Sequence, residues 1–269
     1  MMKSYHRSGI FLLIILCGFI GGIMAQTDPN GDDNGGKFRL WVGAGANISV
    51  TKKADFSVGY LRIYDGIQSL NHTAYDQESI SFHFDVAKWY EPGAGFIISK
   101  NESSGKISYR YYLINSFKAQ LGDHFKWTNG LQVEKFSPNE KRYDYRFAYL
   151  TRFGLTKRIK FLKLAPSVSY WLYYNVGGNK LQYYDSGGNS DVKKTPDGFH
   201  RGRLIVNLNS KISDLLSVSL YYLNQHEFNI FPESNDINII VPVTGTIIRP
   251  FNNYNVVGLS AKLNIDLHK

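Results

Sequence analysis

Large apolar side chains occupy every second position over fourteen residues, 142–155, with Thr151 as the exception. One face of this segment carries aromatic and aliphatic side chains from Tyr143 to Leu155, and the other carries three arginines and Asp144. Successive side chains of a strand point to opposite faces, and strands in globular proteins are commonly only about five or six residues long. The pattern therefore predicts a transmembrane β-barrel strand, with an aromatic face toward lipid and an arginine-rich face toward a wet lumen.

The same period of two recurs along most of the chain, for example over residues 38–50, 106–121 and 253–267. The connections are mostly short near residues 51–54, 89–92, 122–123, 157–161 and 213–214, and include long ones near 66–77, 176–198 and 230–252. Short turns at one end and long loops at the other are typical of an outer-membrane barrel, with the long loops facing outward.

The number of strands follows less directly from the pattern. About eleven alternating segments can be counted, whereas bacterial barrels formed by one chain normally have an even number. We therefore predict twelve strands, with ten as the alternative. Residues 237–248 are expected to form a hairpin that stands in the last long loop. The predicted fold class is all-β, an antiparallel up-and-down transmembrane β-barrel.

Two other architectures fit the pattern poorly. A soluble sandwich or lipocalin-like barrel requires an apolar inner face, whereas here the faces opposite the aromatic rows carry arginine and lysine. A helical membrane protein requires a continuous apolar run of about 20 residues, and no segment after residue 25 has one. The slightly negative mean hydropathy suits a barrel, whose strands are only half apolar.

The N-terminal residues read as an export signal. Lys3 and Arg7 precede an apolar run, and Ala25 offers a cleavage site. An uncleaved helix is the alternative, but the run is short for a membrane span. Cys17 raises lipidation as a second alternative, which the large side chain of Leu16 disfavours. We predict a signal peptide over 1–25, a flexible lead-in over 26–36 and a transmembrane barrel over 37–269, located in the outer membrane of a Gram-negative bacterium.

Charge and cysteine content narrow the function classes. Loss of Lys3 and Arg7 with the signal lowers the formal net charge from +9 to +7. Basic residues occur singly on polar faces and not in runs, so nucleic acid is not an expected partner. Cys17 is the single cysteine, so the mature chain carries no disulfide, thiol chemistry or cysteine-ligated metal.

Several short motifs resemble an outer-membrane barrel family of Bacteroidota and other Gram-negative bacteria, filed as domain of unknown function 2490. They are Leu40-Trp41, Tyr109-Arg110-Tyr111-Tyr112, the Arg- and Tyr-rich segment 142–153, Arg201-Gly202-Arg203-Leu204, and the stretches 222–229 and 253–259. The resemblance covers most of residues 37–267 and implies the fold and the location. It implies no reaction, substrate or catalytic residue. The chain departs from many outer-membrane proteins in lacking a terminal aromatic residue.

A set of charged residues is predicted to line the lumen. These residues are Arg39, Asp85, Arg110, Lys118, Glu134, Arg142, Asp144, Arg146, Arg152, Arg201, Arg203 and Glu227. Unpaired charges in a narrow lumen are costly, so we expect Arg–carboxylate pairs between strands. Glu134 and Glu227 are each expected to bind at least one inward arginine, with Arg152 and Arg203 on the same polar faces. The set forms either a packed polar core or, since basic residues outnumber acidic ones, an arginine-lined path for anions.

Enzymatic chemistry has weak support. Ser81, His83 and Asp85 share one face of one strand, but neighbours two residues apart lie about 7 Å from each other, too far for a nucleophile–base hydrogen bond. His200 and His226 are single histidines without identifiable metal-binding partners. We predict no enzyme, cofactor or metal site, with an outer-membrane hydrolase as the remote alternative.

Several aromatic residues are assigned to interfacial girdles near strand ends: Tyr111, Tyr143, Trp171, Tyr173 and Tyr221.

Two functions follow from these predictions. The leading one is a passive channel or specific pore for a small solute, with an anion as the candidate solute. The alternative is a structural or surface-interaction barrel, whose lumen is filled by Arg–carboxylate pairs and whose long loops make the contacts. Outer-membrane lipid is the expected partner in both. A lumen blocked by ion pairs and aromatic rings favours the alternative.

Overall fold

The computed structural model of the chain describes residues 37–65, 73–138, 142–185, 187–230 and 235–268. Within these ranges the protein is all-β, and eleven strands form one closed barrel. The predicted signal peptide, 1–25, and lead-in, 26–36, lie outside the described residues. No helix in the described ranges is both long enough and apolar enough to cross a membrane.

The barrel strands are 11 to 15 residues long. A strand that crosses a bilayer at a tilt needs about 9–11 residues, so each of them has sufficient length. The barrel consists of β1 (Lys37–Thr51), β2 (Ala54–Tyr64), β3 (Thr73–Phe84), β4 (Tyr90–Asn101), β5 (Ile107–Leu121), β6 (Phe125–Ser137), β7 (Tyr145–Leu155), β8 (Leu164–Val176), β11 (Gly198–Lys211), β12 (Leu216–Glu227) and β15 (Tyr254–Asp266).

Four further strands form two hairpins in the long loops. They are β9 (Leu181–Tyr184) with β10 (Ser190–Lys194), and β13 (Ile239–Ile240) with β14 (Ile247–Ile248). The second is the hairpin predicted over 237–248. Its turn contains Gly245 at φ +67°, a left-handed conformation that glycine adopts without strain. A short 3-10 turn, Phe161–Lys163, precedes β8.

The strand count of the barrel is eleven, so the predictions of twelve and of ten are wrong. Consecutive barrel strands are antiparallel, and an odd number of them leaves the first and the last running in the same direction. β1 and β15 accordingly pair in parallel over thirteen residues, from Lys37 opposite Tyr254 to Ser49 opposite Asp266. As a result, β1 and β15 both run from the long-loop end of the barrel to the short-turn end.

The outward face is the one predicted from the alternation. In β7 the side chains of Phe147 and Phe153 are 46% and 47% exposed, while Arg146, which directly precedes Phe147, is 2% exposed. The same holds for most of the barrel, where large apolar side chains on the outer face are exposed and their neighbours turn inward, while in β4 and β11 the outer apolar side chains are partly covered. Tyr143 is an exception to the prediction, because β7 begins only at Tyr145 and Tyr143 is buried.

Aromatic residues are divided between the two faces in a way that the sequence did not reveal. Trp171, Tyr173 and Tyr221 lie on the inner face with Tyr143, so their assignment to an interfacial girdle is wrong; Tyr111 is exposed as expected. An outer girdle at the short-turn end is formed instead by a set of stacked or hydrogen-bonded rings. Its members are Trp89, Tyr90, Phe117, Trp127 and Phe153.

Glycines on the inner face make room for large rings. Tyr221 lies directly opposite Gly258 in the β12–β15 pair, and a Cβ at Gly258 would overlap its ring. Tyr112 covers Gly95 in the same way. Next to Tyr221, an apolar cluster within the lumen contains Leu223 and Val256. The lumen near the long-loop end is therefore packed with side chains and is only partly polar.

Candidate functional site

Glu134 is one of the two carboxylates that are buried among the described residues, and it lies inside the barrel near the long-loop end. The β6–β7 pairing places Arg146 directly opposite it, and β5 contributes Arg110. Arg146 Nε donates to Glu134 Oε2 over 2.6 Å, and Arg110 Nη1 lies 3.6 Å from Glu134 Oε1. Gln132 donates a further hydrogen bond of 2.5 Å. The glutamate and Arg146 are each 2% exposed, so this pair is shielded from bulk water.

Glu227 is the second buried carboxylate and has a similar environment. Arg201 lies directly opposite on β11 and donates from Nε and Nη2 to Glu227 Oε1, over 3.0 and 2.5 Å. Arg142 Nη1 donates to Oε2 over 2.9 Å, and the backbone amide of Asn252 donates to the same oxygen over 2.7 Å. Each buried carboxylate thus meets two arginines, which confirms the predicted Arg–carboxylate pairs.

Tyrosine rings surround the arginines of these pairs. The Arg146 guanidinium lies 4.5 Å from the ring centroid of Tyr173 and 5.2 Å from that of Tyr143. Arg201 lies 5.9 Å from the Tyr143 ring, and Arg203 lies 5.4 Å from the Tyr173 ring. A guanidinium within about 6 Å of an aromatic face is attracted to it, more strongly where water is excluded. The rings therefore hold the arginines in place as well as filling space.

Very little space remains in this part of the lumen. A cavity between Arg142, Tyr143, Arg201, Glu227 and Arg249 has a volume of about 10 Å³. A cavity needs roughly 10–15 Å³ on this measure to hold one water molecule. We refer to Glu134, Glu227, their four arginines and the two tyrosine rings as the lumen plug.

The two long loops fold together above the lumen plug. Leu181 and Tyr183 of β9 pack against Ile237, and the partly buried Ile239, Ile248 and Phe251 complete this cluster. Burial raises the pKa of the Tyr183 hydroxyl to about 12. The side-chain amide of Asn229 both donates to and accepts from the backbone of Ile237. We call residues 179–185, 187–197 and 235–252 the loop cap.

Arginines connect the loop cap to the lumen plug. Arg142 donates to the carbonyl of Pro250 over 3.0 Å as well as to Glu227. Arg249 donates to the carbonyls of Arg142 and Asn179, over 3.2 and 3.1 Å. Burial lowers the pKa of the Arg249 guanidinium, and the nearby charge of Arg142 adds to the effect. The cap is therefore held against the barrel by charged hydrogen bonds from its lower side.

The remaining residues of the predicted charged set lie outside these two pairs. Arg39 pairs with Asp65 over 2.7 Å and stacks on Tyr254, and Arg203 donates to Gln225 over 2.8 Å. The carboxylate of Asp144 lies against Gly177 at the loop-end rim. Arg152 and Arg203 are therefore not the partners of the two glutamates. Asp85 and Lys118 pair with each other over 3.2 Å at the short-turn end.

The lumen is wider toward the short-turn end. A polar cavity of about 730 Å³ is bounded there by side chains from β1, β2, β3, β4, β7 and β15 and from the β11–β12 turn. Its charged residues include Asp55, Glu91, Arg152 and Lys262. We call this space the lower cavity. The barrel interior thus has two parts, a packed one under the loops and an open one under the turns.

The residues considered for catalysis or metal binding have structural partners. His83 pairs with Glu91 of the neighbouring strand over 3.4 Å, and Asp85 pairs with Lys118. His200 is buried, and its ring nitrogens lie 3.1 and 3.3 Å from the carbonyls of Pro196 and Phe228. In the described parts of the chain, no three His, Cys, Asp or Glu side chains are grouped so that they could hold a metal ion.

Sequence reasoning missed several residues that shape the lumen. Tyr143 and Tyr173 were assigned outward, and Gln225 and Arg249 were not singled out. The sequence also gives no reason to group Lys262 with Arg152, because the two are far apart in the chain. The β1–β15 and β12–β15 contacts that bring the last strand to the cavity leave no local signal in the sequence.

No protein-family model matches this chain, and no curated protein is similar to it at a significant level. The resemblance to the outer-membrane barrel family, which rests on short motifs such as Arg201-Gly202-Arg203-Leu204, therefore stays a prediction.

Proposed function

We propose that this protein is an outer-membrane β-barrel of a Gram-negative bacterium whose lumen is sealed at the long-loop end, so that its folded loops, and not a pore, meet the outside. The observation that carries the proposal is the lumen plug. Two glutamates and their arginine partners occupy the lumen beneath the loop cap, and the cavity beside Glu227 measures about 10 Å³. Solute passage requires the lumen plug to open.

The membrane location rests on the outer surface. Apolar side chains such as Ile80, Leu113, Leu131 and Leu220 are 48–63% exposed on different strands. Monomeric soluble proteins rarely expose contiguous apolar patches beyond a few hundred Å², whereas a barrel in lipid requires an apolar band. The outward surface also carries the aromatic girdle at the short-turn end, where a membrane interface would lie.

The loop cap supplies a surface for contact with a partner. Val243 at the tip of the β13–β14 hairpin is 87% exposed, and Ile240 beside it is 61% exposed. These apolar side chains project from a part of the molecule that is packed from below by Tyr183 and Ile237. A folded cap with exposed apolar side chains at its tip offers a formed surface to a partner, which suits a structural or surface-interaction role.

Planar-bilayer recording of the purified mature protein tests the seal. We expect no sustained conductance from the wild type, because the lumen plug leaves no continuous water path. Insertion is checked separately by protection of the barrel from protease. Sustained conductance steps from the inserted wild type would overturn the proposal.

A designed opening serves as the positive control. Both cap hairpins are replaced by short Gly-Ser linkers, and the rings of the plug are removed by Tyr143→Ala and Tyr173→Ala. These changes leave the Arg–Glu pairs intact, so no buried charge loses its partner. We expect this variant to conduct if the cap and the rings maintain the seal.

A channel for a small anionic solute is the second candidate, and the lower cavity favours it because half of the path would already be open. In that case the excess of arginine and lysine over carboxylates in the lumen should make the conductance anion-selective. A reversal potential measured under a salt gradient distinguishes this candidate from the sealed barrel.

A further inference from the structure

The lower cavity contains both signs of charge, and its carboxylates have nearby partners. Ser49 donates to Asp55 over 2.6 Å. Glu91 lies between His83 and Lys118 and is in contact with both. Asp214 and Asp266 pair with Lys211 and His268. Each of these carboxylates therefore has a polar or charged partner other than Arg152 and Lys262.

Two cations of the same cavity lack such partners. Among the described residues, Arg152 forms no hydrogen bond or ion pair, and its side chain is exposed to the cavity that it lines. Lys262 reaches only the side-chain oxygen of Asn47, over 3.5 Å. The charge of Arg152 also acts on Lys262, so the two cations repel each other. Two like charges in a confined space are destabilising unless an anion joins them.

The strand pairings surround these cations with hydroxyl groups. Arg152 lies directly opposite Thr128 on one side and Ser169 on the other. Lys262 lies opposite Ser217. Hydroxyls donate hydrogen bonds to anionic oxygens, and a guanidinium offers two parallel N–H groups to a phosphate or carboxylate. This part of the lower cavity thus combines positive charge, hydrogen-bond donors and open volume.

We propose that the lower cavity is a binding site for a small dianion, a phosphate or dicarboxylate group held between Arg152 and Lys262. The volume of about 730 Å³ lies within the usual 300–1,000 Å³ of small-molecule sites. The inference deepens the proposed function and rests on it in one respect: a lumen sealed at the loop end becomes a pocket that is entered from the short-turn end.

Isothermal titration of the full mature protein in detergent, with inorganic phosphate and separately with succinate, tests the site. We expect saturable binding of at least one of the two anions by the wild type. Arg152→Gln and Lys262→Gln should each weaken it at least tenfold, and the double variant should abolish it. The anion that binds more tightly tells whether a tetrahedral phosphate or two separated carboxylates suit the pocket.

Lys157→Gln is the matched control, because Lys157 is an exposed cation in the turn that follows β7 and does not line the cavity. Its binding isotherm should equal that of the wild type. Resistance of each folded variant to unfolding by detergent at room temperature verifies that the barrel is intact. Absence of saturable binding of both anions by the wild type would refute the site, as would equal affinity in the double variant. Neither result bears on the seal, which is measured by conductance.

Discussion

Glu134 illustrates how a single residue contributes to this barrel. It is 2% exposed, it contacts Arg146 and Arg110, and it has no access to bulk water that could compensate for a lost partner. Buried ion pairs contribute little net stability compared with well-packed apolar groups, but removal of one partner leaves a buried charge uncompensated. The consequence of a substitution therefore depends on which partner remains.

Glu134→Gln keeps the shape of the side chain and removes its charge. Two guanidinium groups then lose their counterion, and we expect the free energy of unfolding to fall by about 3–5 kcal/mol. Arg146→Gln should cost a similar amount, because it leaves Glu134 largely uncompensated. Urea unfolding from lipid vesicles measures both. Glu102→Gln, which removes an exposed pair with Lys100, should cost less than about 1 kcal/mol. Equal losses at positions 134 and 102 would contradict the prediction.

Gly258 tests the packing of rings inside the lumen. Alanine at this position would place its Cβ within the Tyr221 ring, which is itself surrounded by Leu223 and Val256. We expect Gly258→Ala to lower the free energy of unfolding by about 1–3 kcal/mol, as overpacking usually does. In the control Gly130→Ala, the new Cβ meets Leu150 at 3.5 Å, an ordinary van der Waals contact, and the change should be close to neutral.

At the scale of the element, the seam between β1 and β15 is the feature that the sequence did not predict. Alternation identifies the two strands and their outward faces, with Val42 and Leu259 exposed on neighbouring strands. Alternation carries no information about which strand pairs with which. A barrel that closes through antiparallel pairs alone has an even number of strands. This rule led to the prediction of twelve, although the pattern itself contains eleven alternating segments.

Engineered cysteines test this parallel seam. The single natural cysteine, Cys17, lies in the predicted signal peptide, so a double variant of the mature chain contains no other thiol. Ala44 lies directly opposite Ala261. We expect Ala44→Cys with Ala261→Cys to form a disulfide under mild oxidation, seen as a shift in gel mobility.

The control pair, Ala44→Cys with Leu263→Cys, is displaced by two residues along β15. Its Cα atoms lie about 8 Å apart from the strand spacing and rise, which is too far for a disulfide. Cross-linking of the control in preference to the first pair would show a different register.

For the whole molecule, the proposed membrane location depends on which face of the barrel can tolerate a charge. Phe147 is the third residue of β7 and projects outward, whereas Ser57 lines the lower cavity. We expect Phe147→Arg to destabilise the folded protein in vesicles by about 1–3 kcal/mol, because a charge that faces hydrocarbon loses its hydration. Ser57→Arg enters a polar cavity beside Asp55, so its cost should be about 1 kcal/mol. A larger cost at Ser57 than at Phe147 would reverse the assignment of the faces.

The sequence alone determined the strands, their faces and the pairing of the buried carboxylates with arginine. These properties follow from short-range chemistry: a strand alternates its side chains, an apolar row needs an apolar solvent, and a buried charge needs a counterion. Tertiary structure decided the rest. Closure set the count at eleven and brought Lys262 of the last strand into the same cavity as Arg152. Folding of the two long loops covered the lumen, and the start of β7 at Tyr145 left Tyr143 inside the barrel as a stacking partner for arginine. Each of these outcomes depends on contacts between residues that are distant in the chain, and periodicity along a single strand contains no record of them.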